Sequence, residues 1–316
     1  MLVWMWACGI PAQGVEPAAP EPEPVVEEAP PVAPAPEPVV EPFPAEGPFR
    51  RELLPGLVVA AYLPPEIDDI GYARPSPEVW AGADERLFVV TVDPARFEVV
   101  YRSKLAGDAG VGTADSWARE HGLVVAFNPG MFEPGAEATG YTRTSTFVSQ
   151  PAVRRQSLYR SFFVVEGGKV DMLDIRPPSG SGKYAPVTEL PAALRSRLEG
   201  ADFVAQSLSI LRDGAPAYPP RKNQWSELAY GVDDQGRLVV VFSRRPYEMR
   251  ELGARVAALG LGIRDLLHGE GGPEASLVVR VEGLEWFAVG SYETGFFGNS
   301  NRRLWGLPAV LGVRPK

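Results

Sequence analysis

The sequence predicts a strand-rich α+β domain, built on mixed or antiparallel sheet with a few packed helices. Short, valine-rich apolar runs recur after Arg50, each bounded by Gly, Asp or Pro, as strands and their turns are. Helical periodicity is confined to a short segment after Thr113 and a longer one from Met249 to Leu259. Strands and helices do not alternate, which argues against a parallel sheet of βαβ units.

The chain before this domain has a different composition. From Pro11 to Pro48 it is almost entirely Pro, Glu, Ala and Val without a Lys or Arg, too little apolar surface to offset the entropy of ordering. Residues 11–50 are therefore expected to be a disordered linker and residues 51–316 the folded domain. Eight of the 40 acidic residues lie between Pro11 and Pro48, leaving 32 against the 31 Lys and Arg from Phe49 onward, so the chain's net charge of −9 falls to −1 outside that stretch. A near-neutral body lacks the clustered basic face of a nucleic-acid binder. With 45% hydrophobic residues in a chain of 316, there is enough apolar material for a sizeable core.

Residues 1–10 are apolar around Cys8, the only cysteine, which excludes an intramolecular disulfide and any cysteine cluster for metal. Ala7-Cys8-Gly9 after an apolar run and before a Pro/Glu tether resembles the cleavage and lipidation site of a bacterial lipoprotein. It departs from that pattern in lacking basic residues and in carrying Met5-Trp6. The expectation is a periplasm-facing lipid anchor at Cys8; the alternative is an incidental apolar N-terminus. An extended tether would reach roughly 100 Å at about 3.1 Å per residue.

Within the domain, Leu57–Leu63, Arg86–Val92 and Phe97–Tyr101 read as strands, the last two separated by a turn at Asp93-Pro94. Thr113 can cap a helix through Ser116–Glu120 that Gly122 stops, and His121 suits its C-terminal end as a cation. Leu123–Phe127 is then a buried strand that delivers Asn128-Pro129-Gly130-Met131-Phe132 into a loop. Ser161–Val165 and Lys169–Leu173 flank Glu166-Gly167-Gly168 as a hairpin. Gly180-Ser181-Gly182-Lys183 is no phosphate loop, since Tyr184 replaces the magnesium-binding Ser or Thr and no strand precedes it. Phe203–Ile210 reads as one strand bearing Gln206 and Ser207, and Leu228–Val232 with Arg237–Phe242 as a hairpin. Met249, Leu252, Val256 and Leu259 mark an amphipathic helix, with Pro246 in its first turn and Gly260 at its end.

Ile263–Leu267 is the next buried strand, and Leu277–Val279 another. Between them His268-Gly269-Glu270-Gly271-Gly272-Pro273-Glu274-Ala275-Ser276 reads as a tight loop, because adjacent glycines gain nothing from regular structure and Pro273 has no N–H. A glycine turn ending a buried strand can gather backbone N–H groups into a concavity suited to an anion. Leu284–Val289, the stretch Ser291–Phe297 and a last strand at Val310–Val313 complete the chain.

The order of these features resembles the phosphodiester glycosidase domain family, closest to its bacterial periplasmic branch. The matching features are Asn-x-Gly-Met-Phe after a strand, Gln206-Ser207, the Tyr230-Gly231-Val232 strand with its return to Phe242, the amphipathic helix and an acid-Gly-Gly loop. Gly271–Ser276 and Gly290–Phe296 match signatures of that branch. The resemblance covers Arg86–Val313. It implies removal of a sugar such as N-acetylglucosamine from a phosphodiester, with the site at these loops. This chain departs from the pattern in having Pro129, in carrying Glu270 where Asp is usual, and in offering no arginine at Ser226-Glu227.

Cleaving a sugar C1–O bond to phosphate builds positive charge on the ring, while the phosphate leaves with little need of a proton. Glu270 is the expected catalytic carboxylate, as base or nucleophile, with Glu274 the second. Asn128 and the N–H groups of Gly271 and Gly272 are expected to hold phosphate or hydroxyls, and Arg143 or Arg245 to add charge. Gly130, Met131, Phe132, Gln206, Ser207, His268 and Ser276 complete the site that the resemblance implies, and Tyr292, Phe296 and Phe297 are candidates to stack on sugar. No cofactor or metal is called for. No Gly-x-Ser-x-Gly elbow and no histidine pair of zinc spacing supports another hydrolase class. The other reading is a tethered, non-catalytic module that binds an envelope glycan or partner. In either case the chain is expected to be a monomer.

Overall fold

The computed structural model describes residues 43–67, 83–108, 112–293 and 298–316. The anchor segment with Cys8, the linker up to residue 42, and Phe296 and Phe297 lie outside the described residues.

Every strand pairing in the described residues is antiparallel. The largest sheet has eight strands, in the spatial order β1 (Phe49–Leu54), β2 (Leu57–Tyr62), β3 (Leu87–Val92), β16 (Leu238–Tyr247), β15 (Trp225–Asp233), β17 (Ile263–Gly271), β13 (Ser209–Arg212) and β14 (Ala215–Pro216). A five-stranded sheet runs β19 (Leu284–Val289), β18 (Ser276–Val281), β5 (Val125–Phe127), β20 (Ala309–Pro315) and β4 (Phe97–Ser103). A second runs β10 (Lys169–Asp174), β9 (Ser161–Glu166), β12 (Phe203–Ser207), β6 (Thr142–Thr144) and β7 (Val148–Gln150). β11 (Tyr184–Pro186) and β8 (Ala152–Arg154) form a small ribbon.

Alternation in the strands turns one face of each sheet into a common core. Val59, Val90, Val240 and Tyr230 of the eight-stranded sheet meet Phe127, Leu277 and Leu311 of one five-stranded sheet and Phe163 and Phe203 of the other. Tyr230 sits where the three meet, 5.3 Å from the Phe127 ring and 5.2 Å from that of Phe163. Phe43 stacks on Phe49 at 4.8 Å, so aromatic packing begins just ahead of β1.

Three α-helices cover outer faces. Helix α1 (Ala114–His121) places Trp117 and Ala118 on Ala126, Val278 and Val310; Thr113 caps it through Ser116 N at 3.2 Å, and Gly122 closes it at φ 63°. Helix α2 (Ala192–Gly200) packs Leu198 on Phe162, Val164 and Val204. Helix α3 (Met249–Ala258) packs Leu252 and Val256 on Ala229, Val241 and Leu266. Among the described residues no helix is long and apolar enough to cross a membrane.

Three local expectations are corrected. Pro246 lies in β16 and not in a helical turn: an irregular register between Trp225 and Glu227 leaves the ladder there without need of its missing N–H, and the Glu248 carboxylate caps α3 instead. The run Phe203–Ile210 is two strands, broken at Leu208, where the chain leaves one sheet for another. Both halves are buried on successive residues, so no alternation marks the corner. The segment from His268 is not loop throughout, since β17 continues to Gly271 and only Gly272–Glu274 forms a single 3-10 turn.

Candidate active site

Pairing to β15 carries β17 past Leu267. Leu228 stands opposite Glu270 and Ala229 opposite His268, so Gly269 is an extra residue, a β-bulge. Glycine is required there: a Cβ at 269 would lie 2.5 Å from Leu228 Cδ2 and 3.0 Å from the Asn128 carbonyl oxygen. The close approach brings the end of β5 against the end of β17, so residues 142 positions apart in sequence, Asn128 and Glu270, flank the same junction. Asn128 is buried, and its Oδ1 accepts from Ser276 N at 2.8 Å. Its Nδ2 has no acceptor among the described residues, which leaves two donors for a ligand. Tyr230 Oη steadies the same loop by donating to the Pro129 carbonyl at 2.6 Å.

Next to this junction lies a buried acid–imidazole pair. Glu227 of β15 bonds His268 Nδ1, and Trp225 Nε1 donates to its other oxygen. Burial raises the Glu227 carboxyl against the pull of His268. Burial draws the imidazole downward, but Glu227 and, behind it, Glu270 outweigh this and hold His268 above its ordinary value. Ser207 Oγ donates to the His268 carbonyl at 2.7 Å and fixes the strand beneath the ring.

Glu270 follows two residues later. Its surface remains partly exposed, while its carboxyl lies among packed atoms, and burial pushes its pKa up to about 7. His268 and the Gly271 N–H, 3.1 Å from Oε1, oppose the shift, and Glu274 and Glu227 add to it. Glu274 closes the 3-10 turn; burial raises its pKa and Glu293 contributes. Gly271 and Gly272 serve packing as well as the turn: a Cβ at 271 would strike Trp225 at 2.5 Å, and Gly272 has φ 68°.

Other expected residues divide by location. Gly130 (φ 154°), Met131 and Phe132 continue from Asn128; Met131 packs against the core cluster that includes Leu208, Ile210 and Leu252, and Phe132 keeps 37% of its surface exposed. Ser276 is buried, its Oγ given to the Glu274 carbonyl at 2.8 Å. Gln206 uses its whole amide on backbone, accepting from Tyr141 N and Arg154 N and donating to the carbonyls of Arg154 and Tyr159. It organises the wall of the site and keeps no group for a ligand. Tyr292 is fully buried and offers no ring face to a sugar. Arg143 is directed to the Thr144 carbonyl at 3.0 Å, and Arg245 to Glu85 at 3.0 Å, so the structure brings neither to Glu270.

Residues outside the sequence reading stand close by. Glu227 shares an inward phase with Ala229 and Gly231, and a carboxylate on an apolar face is the signal that could have marked it. The ribbon of β8 and β11 adds Arg154 and Tyr184, and Tyr159 follows it. Tyr159 Oη lies 3.1 Å from Thr139 Oγ1; burial raises its phenol and the charge of Glu270 adds to the push. Among the described residues no group of three His, Cys, Asp or Glu side chains could hold a metal ion.

The three antiparallel sheets around one core form a fold similar to that of a glycosidase catalytic domain. Among solved structures the chain is similar to the catalytic domain of zebrafish N-acetylglucosamine-1-phosphodiester α-N-acetylglucosaminidase, auto-inhibited by its pro-peptide. The likeness has 12% identity and a TM-score of 0.54 over 84% of this chain and 86% of that one, and is one of fold. It is also similar to a hypothetical protein from Synechocystis (12% identity, TM-score 0.47, 86% of this chain and 64% of that one). A protein of Burkholderia pseudomallei K96243 described as exported shares 12% identity, with a TM-score of 0.39 over 75% of this chain and 76% of that one. No protein-family model matches the sequence, and no curated protein matches it.

Proposed function

We propose that this chain is a hydrolase that cleaves a sugar-1-phosphodiester or a related envelope glycan bond, with Glu270 as the carboxylate at the reacting carbon. One observation carries the reading: a carboxyl with a pKa of about 7, beside a buried Glu227–His268 pair, at the strand ends of a phosphodiester glycosidase-like fold. Near neutral pH such a group is partly ionised, which suits a base that takes a proton from water or a nucleophile that attacks C1. The phosphate leaves as a stable anion, so strong acid assistance is not required. His268 places positive character next to Glu270, and Glu227 orients the ring through Nδ1. The free Nδ2 donors of Asn128 and the Gly272 N–H hold substrate oxygens, the Gly271 N–H being already given to Glu270 Oε1, and Glu274 is the second carboxylate. The chain acts as a monomer held to a periplasm-facing membrane through an acylated Cys8, within reach of envelope glycans.

Assay of the protein against a panel of sugar-1-phosphodiesters tests this. Glu270→Gln keeps size and much of the hydrogen bonding, so it should fold and lose turnover by orders of magnitude. A wild-type protein that binds such diesters or envelope glycans and hydrolyses none is a binding module instead. Hydrolysis untouched by Glu270→Gln would keep the enzyme and remove Glu270 from its centre.

A further inference from the structure

Arg154 is held as a ligand-binding guanidinium is held, and the chemistry above does not use it. Its backbone is fixed on both sides, since Gln206 accepts from its N–H at 2.8 Å and donates to its carbonyl at 3.2 Å. The guanidinium lies 5.1 Å from the centroid of the Tyr159 ring and 5.4 Å from that of Tyr184. Both contacts immobilise the plane and leave its charge intact. All its hydrogen bonds pass through one nitrogen, Nη1, to Glu133 (3.2 Å), the Thr139 carbonyl (3.4 Å) and Tyr184 Oη (3.2 Å).

Nε and Nη2 therefore have no acceptor among the described residues. Those N–H groups lie on one edge and point the same way, the fork that grips two oxygens of a carboxylate or phosphate. The side chain retains 18% exposure, enough for an anion to reach that edge. Lys183 supplies a second cation: it pairs with Glu133 and lies 5.4 Å from the Tyr184 ring. Two cations against the single carboxylate of Glu133 leave one net positive charge, which matches the one negative charge of a phosphodiester. Tyr159 connects this cluster to the carboxylates, bearing Arg154 on its ring and feeling the charge of Glu270.

We infer that the Nε–Nη2 edge of Arg154, supported by Lys183, binds the non-bridging oxygens of the substrate phosphodiester while Glu270 faces the sugar. The inference rests on the hydrolase reading above and makes Arg154 a specificity residue for the charged aglycone.

The test compares two substrates of one sugar, a 1-phosphodiester and an uncharged nitrophenyl glycoside, in wild type, Arg154→Lys and Arg154→Gln, with inorganic phosphate binding measured by calorimetry. Losing a charge-assisted bidentate contact should lower kcat/KM for the diester by roughly 10- to 100-fold, with less than about a threefold change for the neutral glycoside, and should weaken phosphate binding in parallel. Equal losses on both substrates overturn the inference and spare the hydrolase. Phosphate binding that is unchanged in the variants also overturns it. Should the wild type hydrolyse neither substrate, the hydrolase reading fails, and the calorimetry still decides whether Arg154 binds phosphate. Adding phosphate to the wild type should also shift the Arg154 Nε–H resonance, a readout independent of whether the variants fold, and an unmoved resonance counts against the site.

Discussion

Glu270 is a group that the fold would hold more stably without its charge. Its folded pKa of about 7 lies above the ordinary 4.5, so the proton is bound more tightly in the native state. The stabilisation this brings is complete below about pH 4.5 and is lost as pH rises through 7. Gln carries no charge at any pH. Glu270→Gln should therefore gain melting temperature relative to wild type between pH 5 and pH 8, the gain being larger at pH 8. A difference that stays constant with pH would show that the carboxyl is not buried as described. That Asn128 and Glu270 each come just after a buried strand segment was legible in sequence, from the apolar runs Leu123–Phe127 and Ile263–Leu267. Glu227 was not, since the letters Ser226-Glu227-Leu228 do not reveal which face looks inward until the register with β17 is known. The bulge at Gly269 hides that register further.

At the scale of elements, glycine sets how closely the strands that build the site approach. A Cβ on Gly290, just past β19, would lie 1.9 Å from the Gly272 carbonyl oxygen, so that strand end and the 3-10 turn fit only without one. Gly290→Ala should cost about 1–3 kcal/mol in denaturant unfolding. Gly200, at the end of α2, has nothing within 4 Å of an added Cβ, and its replacement by Ala should stay within about 0.5 kcal/mol. Equal effects at the two positions would contradict the packing described. The cap at Thr113, the stop at Gly122 and the apolar stripe of α3 could all be read from sequence, because they rest on local chemistry, whereas the start of α3 lies after Glu248 and not at Pro246. Helix α2 could not: it opens after Pro191 without a side-chain cap and buries only Leu198, so no apolar stripe appears. β6, β7, β8 and β11 span three residues each, too short for a period of two to show, which is why Arg154 was not legible either.

At the scale of the whole molecule, the fold class followed from many strands and few helices, while the partition into sheets did not. The corner at Leu208 and the long-range pairing of β4 with β20 depend on contacts between distant segments that no local pattern records. The stretch from Pro11 to Pro48 is acidic and the rest of the chain nearly neutral, so charge changes at the same place as composition. If the tether ends in a lipid anchor, full-length protein expressed in a bacterium should sediment with membranes, and mass spectrometry should find acyl mass on a peptide beginning at Cys8. Soluble protein with an unmodified Cys8 would end that proposal.

The measurement that tests the central claim most directly is the pH dependence of kcat/KM on a sugar-1-phosphodiester. With Glu270 acting as the ionised base or nucleophile, the rate should rise with pH through an inflection near 7, and Glu270→Gln should abolish the inflection along with most of the rate. A profile flat between pH 5 and 9, or an inflection near 7 that persists in Glu270→Gln, would contradict it.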